Sequence, residues 1–198
     1  MHTLTKVAVL GSTGYVGSEL VYLLNKHPNV KINFLGSDSL SDCYFEYNNS
    51  EYKNLPYIKN NELFDPSDAE YVFLALPHSV SNKFVKNFFG KIKIIDLSAD
   101  FRLDNYELYK SDYGNGHCCS DLMSKFVYGL PEIYRNEISK SDNIAVPGCY
   151  PTSILLPLIP LVKNNLINLK NIIIDSKSGY SGAGKKFDMK NIQSNADY

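Results

Sequence analysis

Along this chain, short unbroken apolar runs alternate with stripes of apolar residues at helical spacing. Val7 to Leu10 is a β-leaning run, and Gly11, Gly14 and Gly17 follow it at three-residue spacing. Between Glu19 and Lys26 the apolar residues Leu20, Val21, Leu23 and Leu24 form one helical stripe, which His27-Pro28-Asn29 closes. "KINFLG" then restarts a strand, so strand, glycine turn, helix and strand make one βαβ unit. Tyr71 to Pro77, "YVFLALP", is a continuous apolar run of the kind that parallel sheets bury on both faces. "SVSNKFVKNFFG" predicts a helix opened by Ser79 or Ser81 and ended near Gly90, and "KIKIIDLS" predicts the next strand. Residues 40–66 are polar and asparagine-rich and give only weak strand signals. "NIAVPG" leans to strand, and Pro151 then stands where the first turn of a helix tolerates proline. Pro157 and Pro160 predict that this helix is kinked or shortened beyond that turn. Ile172 to Ser176 predicts a last strand, running into a Ser/Gly-rich turn. The alternation predicts an α/β fold with a doubly wound parallel sheet.

Composition narrows the partners. With 44% apolar and 21% charged residues the chain has the balance of a soluble globular protein. A net charge of −1 gives neither nucleic acid nor an anionic membrane an electrostatic foothold. The longest apolar stretch, Ile154 to Val162, is cut by two prolines and is too short to span a bilayer. No signal segment precedes the first strand, and Cys43, Cys118, Cys119 and Cys149 lack metal-ligand spacing. The expectation is a cytoplasmic protein with reduced thiols, no metal site and a small-molecule partner.

The glycines carry the first chemistry. A phosphate reaches the backbone N–H groups of a helix N-terminus only where no Cβ blocks it. In its strand–turn–helix setting, the turn of Gly11, Ser12, Thr13, Gly14, Tyr15, Val16 and Gly17 reads as a dinucleotide cradle of the Rossmann type. The other reading of such a turn is close helix packing. After the second strand, Ser37 and Ser39 flank Asp38. Small hydroxyl residues leave room for a 2′-phosphate and favour NADP(H), whereas Asp38 and the lack of a nearby arginine argue for NAD.

In doubly wound sheets ligands bind beyond the C-terminal strand ends. Pro77 and His78 leave one strand there, and His78 either lines the nicotinamide pocket or bonds loop backbone. Arg102, one of only two arginines, leaves another and is expected to bind an anionic substrate group rather than pair with Asp100 or Asp104.

Cys149 opens the proline-tolerant helix. Helix N-termini stabilise negative charge and so favour thiolate chemistry. A thiolate near a nicotinamide suggests acyl transfer to sulfur combined with hydride transfer. The Cys118-Cys119 pair lacks that setting. The turn from Ser178 to Gly184 offers backbone donors to substrate or cofactor, or is simply a surface turn.

The segments "GSTGYVGSEL", "FLALPHSVS", "IDLSADFRL", "VYGLPEIYR", "PGCYPTS" and "SGYSGAG" occur in this order from about residue 5 to residue 186. With them the chain resembles the N-acetyl-γ-glutamyl-phosphate reductases of arginine biosynthesis. The resemblance implies NADPH-dependent reduction of an acyl phosphate to a semialdehyde, with Cys149 as the nucleophile and release of phosphate. It implies that Gly11 to Gly17 hold the pyrophosphate and that Arg102 meets a substrate anion. Ser178, Gly179, Ser181 and Gly182 would line the joint site of substrate and cofactor. It further implies a dinucleotide domain over 1–148, the start of a catalytic and dimerisation domain over 149–198, and a homo-oligomer at full length.

Two departures stand out. Val146 replaces the asparagine usual before Pro-Gly-Cys, and nothing here matches the family's later H-R-H-type segment with its acid/base histidine. Because hydride transfer through a thioester needs that acid/base group, the 198 residues alone are expected not to turn over. Rival readings are a non-catalytic dinucleotide-binding protein and an aspartate-semialdehyde-type reductase.

Overall fold

The computed structural model describes residues 3–114 and 116–184. Strand β1 (Thr5–Leu10) leads through the glycine turn into helix α1 (Tyr15–Asn25) and strand β2 (Val30–Gly36). A small hairpin of β3 (Phe45–Tyr47) and β4 (Ser50–Tyr52) precedes the two-residue strand β5 (Ile58–Lys59). Strand β6 (Tyr71–Leu74), helix α2 (Ser81–Phe88) and strand β7 (Lys93–Asp96) form the next strand–helix–strand unit of the chain. Helix α3 (Tyr106–Tyr113), strand β8 (Val127–Tyr128), helix α4 (Pro131–Ile138), strand β9 (Asn143–Ala145) and helix α5 (Cys149–Lys163) complete it.

Seven strands form one sheet in the order β5-β2-β1-β6-β7-β9-β8, and every pair in it is parallel. The expected doubly wound α/β architecture is present. Its chemistry follows from the alternation of side chains along each strand. Val7 and Val9 pack with Val21 of α1, Ile32 and Leu35 on one face. Ala8 and Leu10 pack with Val72, Leu74, Ile94 and the α2 residues Phe84, Val85 and Phe88 on the other. Burial on both faces is why these strands read as unbroken apolar runs.

Several elements carried weaker signals. Helix α3 is started by the Asn105 side chain, which accepts from the amides of Glu107 at 2.8 Å and Leu108 at 3.2 Å. Helix α4 has Pro131 in its first turn. In the asparagine-rich stretch, β5 is paired with β2 only at Leu35–Ile58 and Gly36–Lys59.

Two expectations are corrected. Helix α5 is not shortened: it runs fifteen residues, with Pro157 and Pro160 inside it. Each proline removes one backbone donor, and the bonds on either side carry the helix past it. Ile172 to Ser176 is not a strand either. A β-leaning run becomes a strand only against a neighbour, and among the described residues none pairs with it. Ile173 accordingly stands 94% exposed, and no residue of α5 is buried. No helix among the described residues is long and apolar enough to cross a membrane.

Candidate active site

Because the sheet is wholly parallel, every strand delivers its following segment to the same edge. The glycine turn leaves β1 there, Ser37 to Ser39 leave β2, Pro77 and His78 follow β6, Ser98 to Arg102 follow β7, and Gly148-Cys149 follow β9. The chain winds from β1 toward β2 on one side and toward β6 on the other, so the crevice opens at β1.

The three glycines of the turn do different work. A Cβ on Gly11, whose φ is 78°, would lie 2.3 Å from the carbonyl oxygen of Ala75, and one on Gly17 would lie 2.1 Å from that of Gly11. These two let the turn fold against β6 and against α1. Gly14 is unlike them. Its φ is −68°, and a Cβ there would meet only the Gly11 carbonyl oxygen, at 3.6 Å. Gly14 is also the cap of α1 and offers no side-chain acceptor to the amides of the first turn. The space in front of those amides is the cradle that a pyrophosphate requires, so the residues present fit a dinucleotide.

Ser12 belongs to the scaffold. It is buried, and both its amide (2.8 Å) and its hydroxyl (2.9 Å) donate to the carbonyl oxygen of Gly36, tying the turn to the end of β2. Tyr15 and Val16, in the first turn of α1, are exposed. Thr13 reaches across to the β2 end, with its hydroxyl 2.7 Å from that of Ser37 and 3.5 Å from that of Ser39.

The segment Asp96 to Arg102 is more structural than its charges suggested. Asp96 is fully buried and accepts from the hydroxyls of Ser81 and Ser98, the latter at 2.7 Å. Burial pushes its carboxyl up to about 6. Asp100, also fully buried, accepts from the amides of Ser79 (2.8 Å) and Asn82 (2.9 Å) and from the Tyr109 hydroxyl (2.8 Å). It thereby serves the start of α2, whose own cap residue Val80 has no side-chain acceptor, and holds Ser79 in the left-handed region at φ 64°. His117 bonds the Asp100 carbonyl oxygen through Nε2 at 2.9 Å and accepts from the Cys119 amide through Nδ1, while burial lowers its pKa. His78, beside Ser79, is exposed and lies near the ring of Tyr113, at 6.1 Å between centroids.

Among the described residues Arg102 pairs with neither Asp100 nor Asp104. It donates instead from Nη2 to the carbonyl oxygen of Leu97 and from Nε to that of Val146, each at 2.8 Å. Leu97 follows β7 and Val146 follows β9, so the guanidinium spans the ends of two neighbouring strands. A Cβ on Gly148 would lie 3.0 Å from Nη1, which places that nitrogen over the turn leading to Cys149. Nη1 carries no hydrogen bond among the described residues. Val146 takes part through its backbone, its N–H donating to the Asp96 carbonyl oxygen and its C=O accepting from Arg102.

Cys149 is exposed at the first position of α5, after a glycine cap that has no side-chain acceptor. Cys119 is buried, its sulfur donates to the Asn82 carbonyl oxygen at 3.3 Å, and its thiol is pushed up to about 12, chiefly by burial. Ser178, Gly179, Ser181 and Gly182 are exposed, and the Ser178 hydroxyl donates to the carbonyl oxygen of Gly179 at 3.0 Å. No group of three His, Cys, Asp or Glu side chains among the described residues is placed to hold a metal ion.

One residue of the site lay outside the sequence reading. Asn61, fully buried in the turn after β5, accepts from the Gly11 amide at 3.1 Å and donates to Asp38 at 2.7 Å. No local signal marks it, since only the β5–β2 pairing carries it to the glycine turn.

The chain is 47% identical over 191 residues to the N-acetyl-gamma-glutamyl-phosphate reductase of Ehrlichia canis, covering 94% of this chain and 54% of that protein. It is 48% identical to the reductase of the same name from Caldicellulosiruptor saccharolyticus, covering 92% and 54%. A probable chloroplastic reductase of Arabidopsis thaliana is 41% identical, with 96% and 48% covered. The chain thus spans about half the length of the curated relatives it matches. Among solved structures, aspartate semialdehyde dehydrogenase II from Vibrio cholerae, complexed with ASA, superposes with a TM-score of 0.58 at 20% identity, covering 81% of this chain and 47% of that one. Aspartate semialdehyde dehydrogenase with NADP from Candida albicans also gives 0.58, at 19% identity and with 82% and 48% covered. These show a shared fold. The family model for the semialdehyde dehydrogenase dimerisation domain matches residues 149–197, and that for the semialdehyde dehydrogenase NAD binding domain matches residues 6–141. A parallel sheet with its glycine turn, strand-end crevice and helix-borne cysteine, matched over most of its length, makes this chain a member of the semialdehyde dehydrogenase family.

Proposed function

We propose that this chain carries the cofactor site and the nucleophile of an NADPH-dependent reductase that converts N-acetyl-L-glutamyl 5-phosphate to N-acetyl-L-glutamate 5-semialdehyde. The observation that carries the reading is the position of Cys149. An exposed thiol starts a helix at the same sheet edge as the glycine turn, behind a turn that Arg102 fastens.

The Cys149 sulfur, as thiolate, attacks the acyl carbon, the carbon–oxygen bond to phosphate breaks, and inorganic phosphate leaves with the electron pair. The thioester so formed on Cys149 is reduced, and collapse of the thiohemiacetal returns the thiolate and frees the semialdehyde. NADPH, when bound, supplies the hydride. Gly14 and the first turn of α1 would take its pyrophosphate, Ser37 and Ser39 would border its adenosine end, and Pro77 and His78 would border its nicotinamide end. Nη1 of Arg102 remains available for a substrate anion. We further assign residues 1–148 to the dinucleotide domain and residues 149–198 to part of a catalytic and dimerisation domain, in a cytoplasmic homo-oligomer.

The test separates the acyl step from hydride transfer. The protein is mixed with the acyl phosphate in the absence of NADPH and its intact mass is measured. An acyl adduct on Cys149 with release of one phosphate is expected, lost in Cys149→Ser while NADPH binding persists. An adduct on another residue, or full adduct formation in the serine variant, would sink the assignment.

A further inference from the structure

We propose that Asn61 sets the choice of cofactor at the glycine turn by withholding Asp38 from the ribose; the inference rests on the dinucleotide reading above. Asn61 is 1% exposed, and its amide is wedged between the ends of β1 and β2. It fits because Gly36 has no side chain, since a Cβ there would lie 2.4 Å from the Asn61 Oδ1. That oxygen accepts from the Gly11 amide at 3.1 Å, which fixes the orientation of the whole group. With the oxygen so placed, one of the two Nδ2 hydrogens is donated to Oδ1 of Asp38 at 2.7 Å.

Asp38 stands two residues beyond β2, where a dinucleotide fold that prefers NAD places the acid that grips the ribose hydroxyls. Here one of its oxygens accepts from the buried Asn61 amide, which holds the exposed carboxylate in one orientation. The carboxylate is the group that would repel a 2′-phosphate, and Asn61 anchors it.

Beside the turn stand uncharged hydroxyls. The Ser37 oxygen accepts from the amides of Ser39 (3.2 Å) and Leu40 (3.3 Å), so its own proton goes to a neighbouring hydroxyl, Thr13 at 2.7 Å or Ser39 at 3.2 Å. The cluster offers hydrogen bonds without charge, which suits a phosphate better than it suits a second carboxylate. Asn61 is thus a positioning residue, acting on specificity through Asp38 and through the Gly11 amide.

The experiment titrates NADPH and NADH by fluorescence on the full chain and on three variants. Asn61→Ala releases Asp38, so the preference for NADPH over NADH is expected to fall at least about tenfold. Asp38→Ala alone is expected to move the ratio less than about threefold, and the double variant is expected to recover the unmutated ratio. Equal weakening of both nucleotides in Asn61→Ala would show a scaffold role only and would overturn the proposal. If Asn61→Ala does not fold, Asp38→Ala decides. A ratio that stays put supports the withheld carboxylate, and a gain in NADPH preference of about tenfold overturns it. Binding of neither nucleotide by the unmutated chain would overturn the dinucleotide reading itself, and this inference with it.

Discussion

The guanidinium of Arg102 donates from Nε to the carbonyl oxygen of Val146 at 2.8 Å, three residues ahead of Cys149. The same side chain holds the Leu97 carbonyl oxygen, so one planar group sets the distance between the ends of β7 and β9. The position of the thiol relative to the crevice therefore depends on a cation bonded to backbone.

Lysine at position 102 keeps the charge but has no planar fork with which to hold two carbonyl oxygens. Arg102→Lys is expected to lower unfolding stability by about 1–3 kcal/mol, the scale of one charge-assisted hydrogen bond in a partly buried place. Acylation of Cys149 by the acyl phosphate is expected to slow at least about tenfold, or about 1.4 kcal/mol. Denaturation and stopped-flow phosphate release measure the two effects. Acylation at the unmutated rate would mean that the span between strands does not position the nucleophile.

The glycine turn makes a sharper prediction than glycine content alone. Gly14→Val adds a side chain whose Cβ makes only an ordinary contact, with the Gly11 carbonyl oxygen at 3.6 Å, at an ordinary φ, so folding is expected to change by less than about 1 kcal/mol while NADPH binding is lost. Gly17→Ala drives a Cβ toward the Gly11 carbonyl oxygen and is expected to destabilise the fold by several kcal/mol, at the large end for a single change. Chemical denaturation paired with NADPH titration distinguishes the two. Intact NADPH affinity in folded Gly14→Val would remove the phosphate from this turn.

Asp96 gives a pH dependence whose sign is fixed by the direction of its shift. Its folded pKa, about 6, is raised above the ordinary carboxylate value, so the native state binds the proton more tightly than the unfolded chain. Its stabilising contribution is fully present below about pH 4 and is lost as pH rises toward about 6. The destabilisation caused by Asp96→Asn is accordingly expected to shrink by up to about 3 kcal/mol between pH 4 and pH 7. Comparing variant with unmutated protein at each pH cancels the opposite trend from His117. A constant difference across that range would show that Asp96 does not titrate there.

The legible parts of this chain were those where one local pattern does one job. Val7 to Leu10 and Tyr71 to Leu74 read as buried strands because both of their faces are covered, and the glycines read as a turn because their spacing suits nothing else. Cys149 was legible because Gly148 and Pro151 mark the start of a helix around it. Arg102 stood out by its residue type but not by its contacts, because residue type announces charge and is silent about which carbonyl oxygens are near. Asn61 was illegible for a related reason: it acts 25 residues beyond Gly36, across a two-residue strand. Ile172 to Ser176 misled because β-propensity describes one partner of a pairing that needs two.

A sheet whose strands all run the same way divides the surface into two margins with different tolerances. Everything chemical leaves the C-terminal margin, while the returns at Pro28-Asn29 and Gly90-Lys91 lie on the other. Gly90, at φ 76° with nothing within 4 Å of a would-be Cβ, closes α2 well away from the crevice. That margin can carry a fluorophore, an affinity tag or a surface tether without touching the cradle or the thiol. Immobilised there, the molecule presents its crevice outward to every ligand that it is offered.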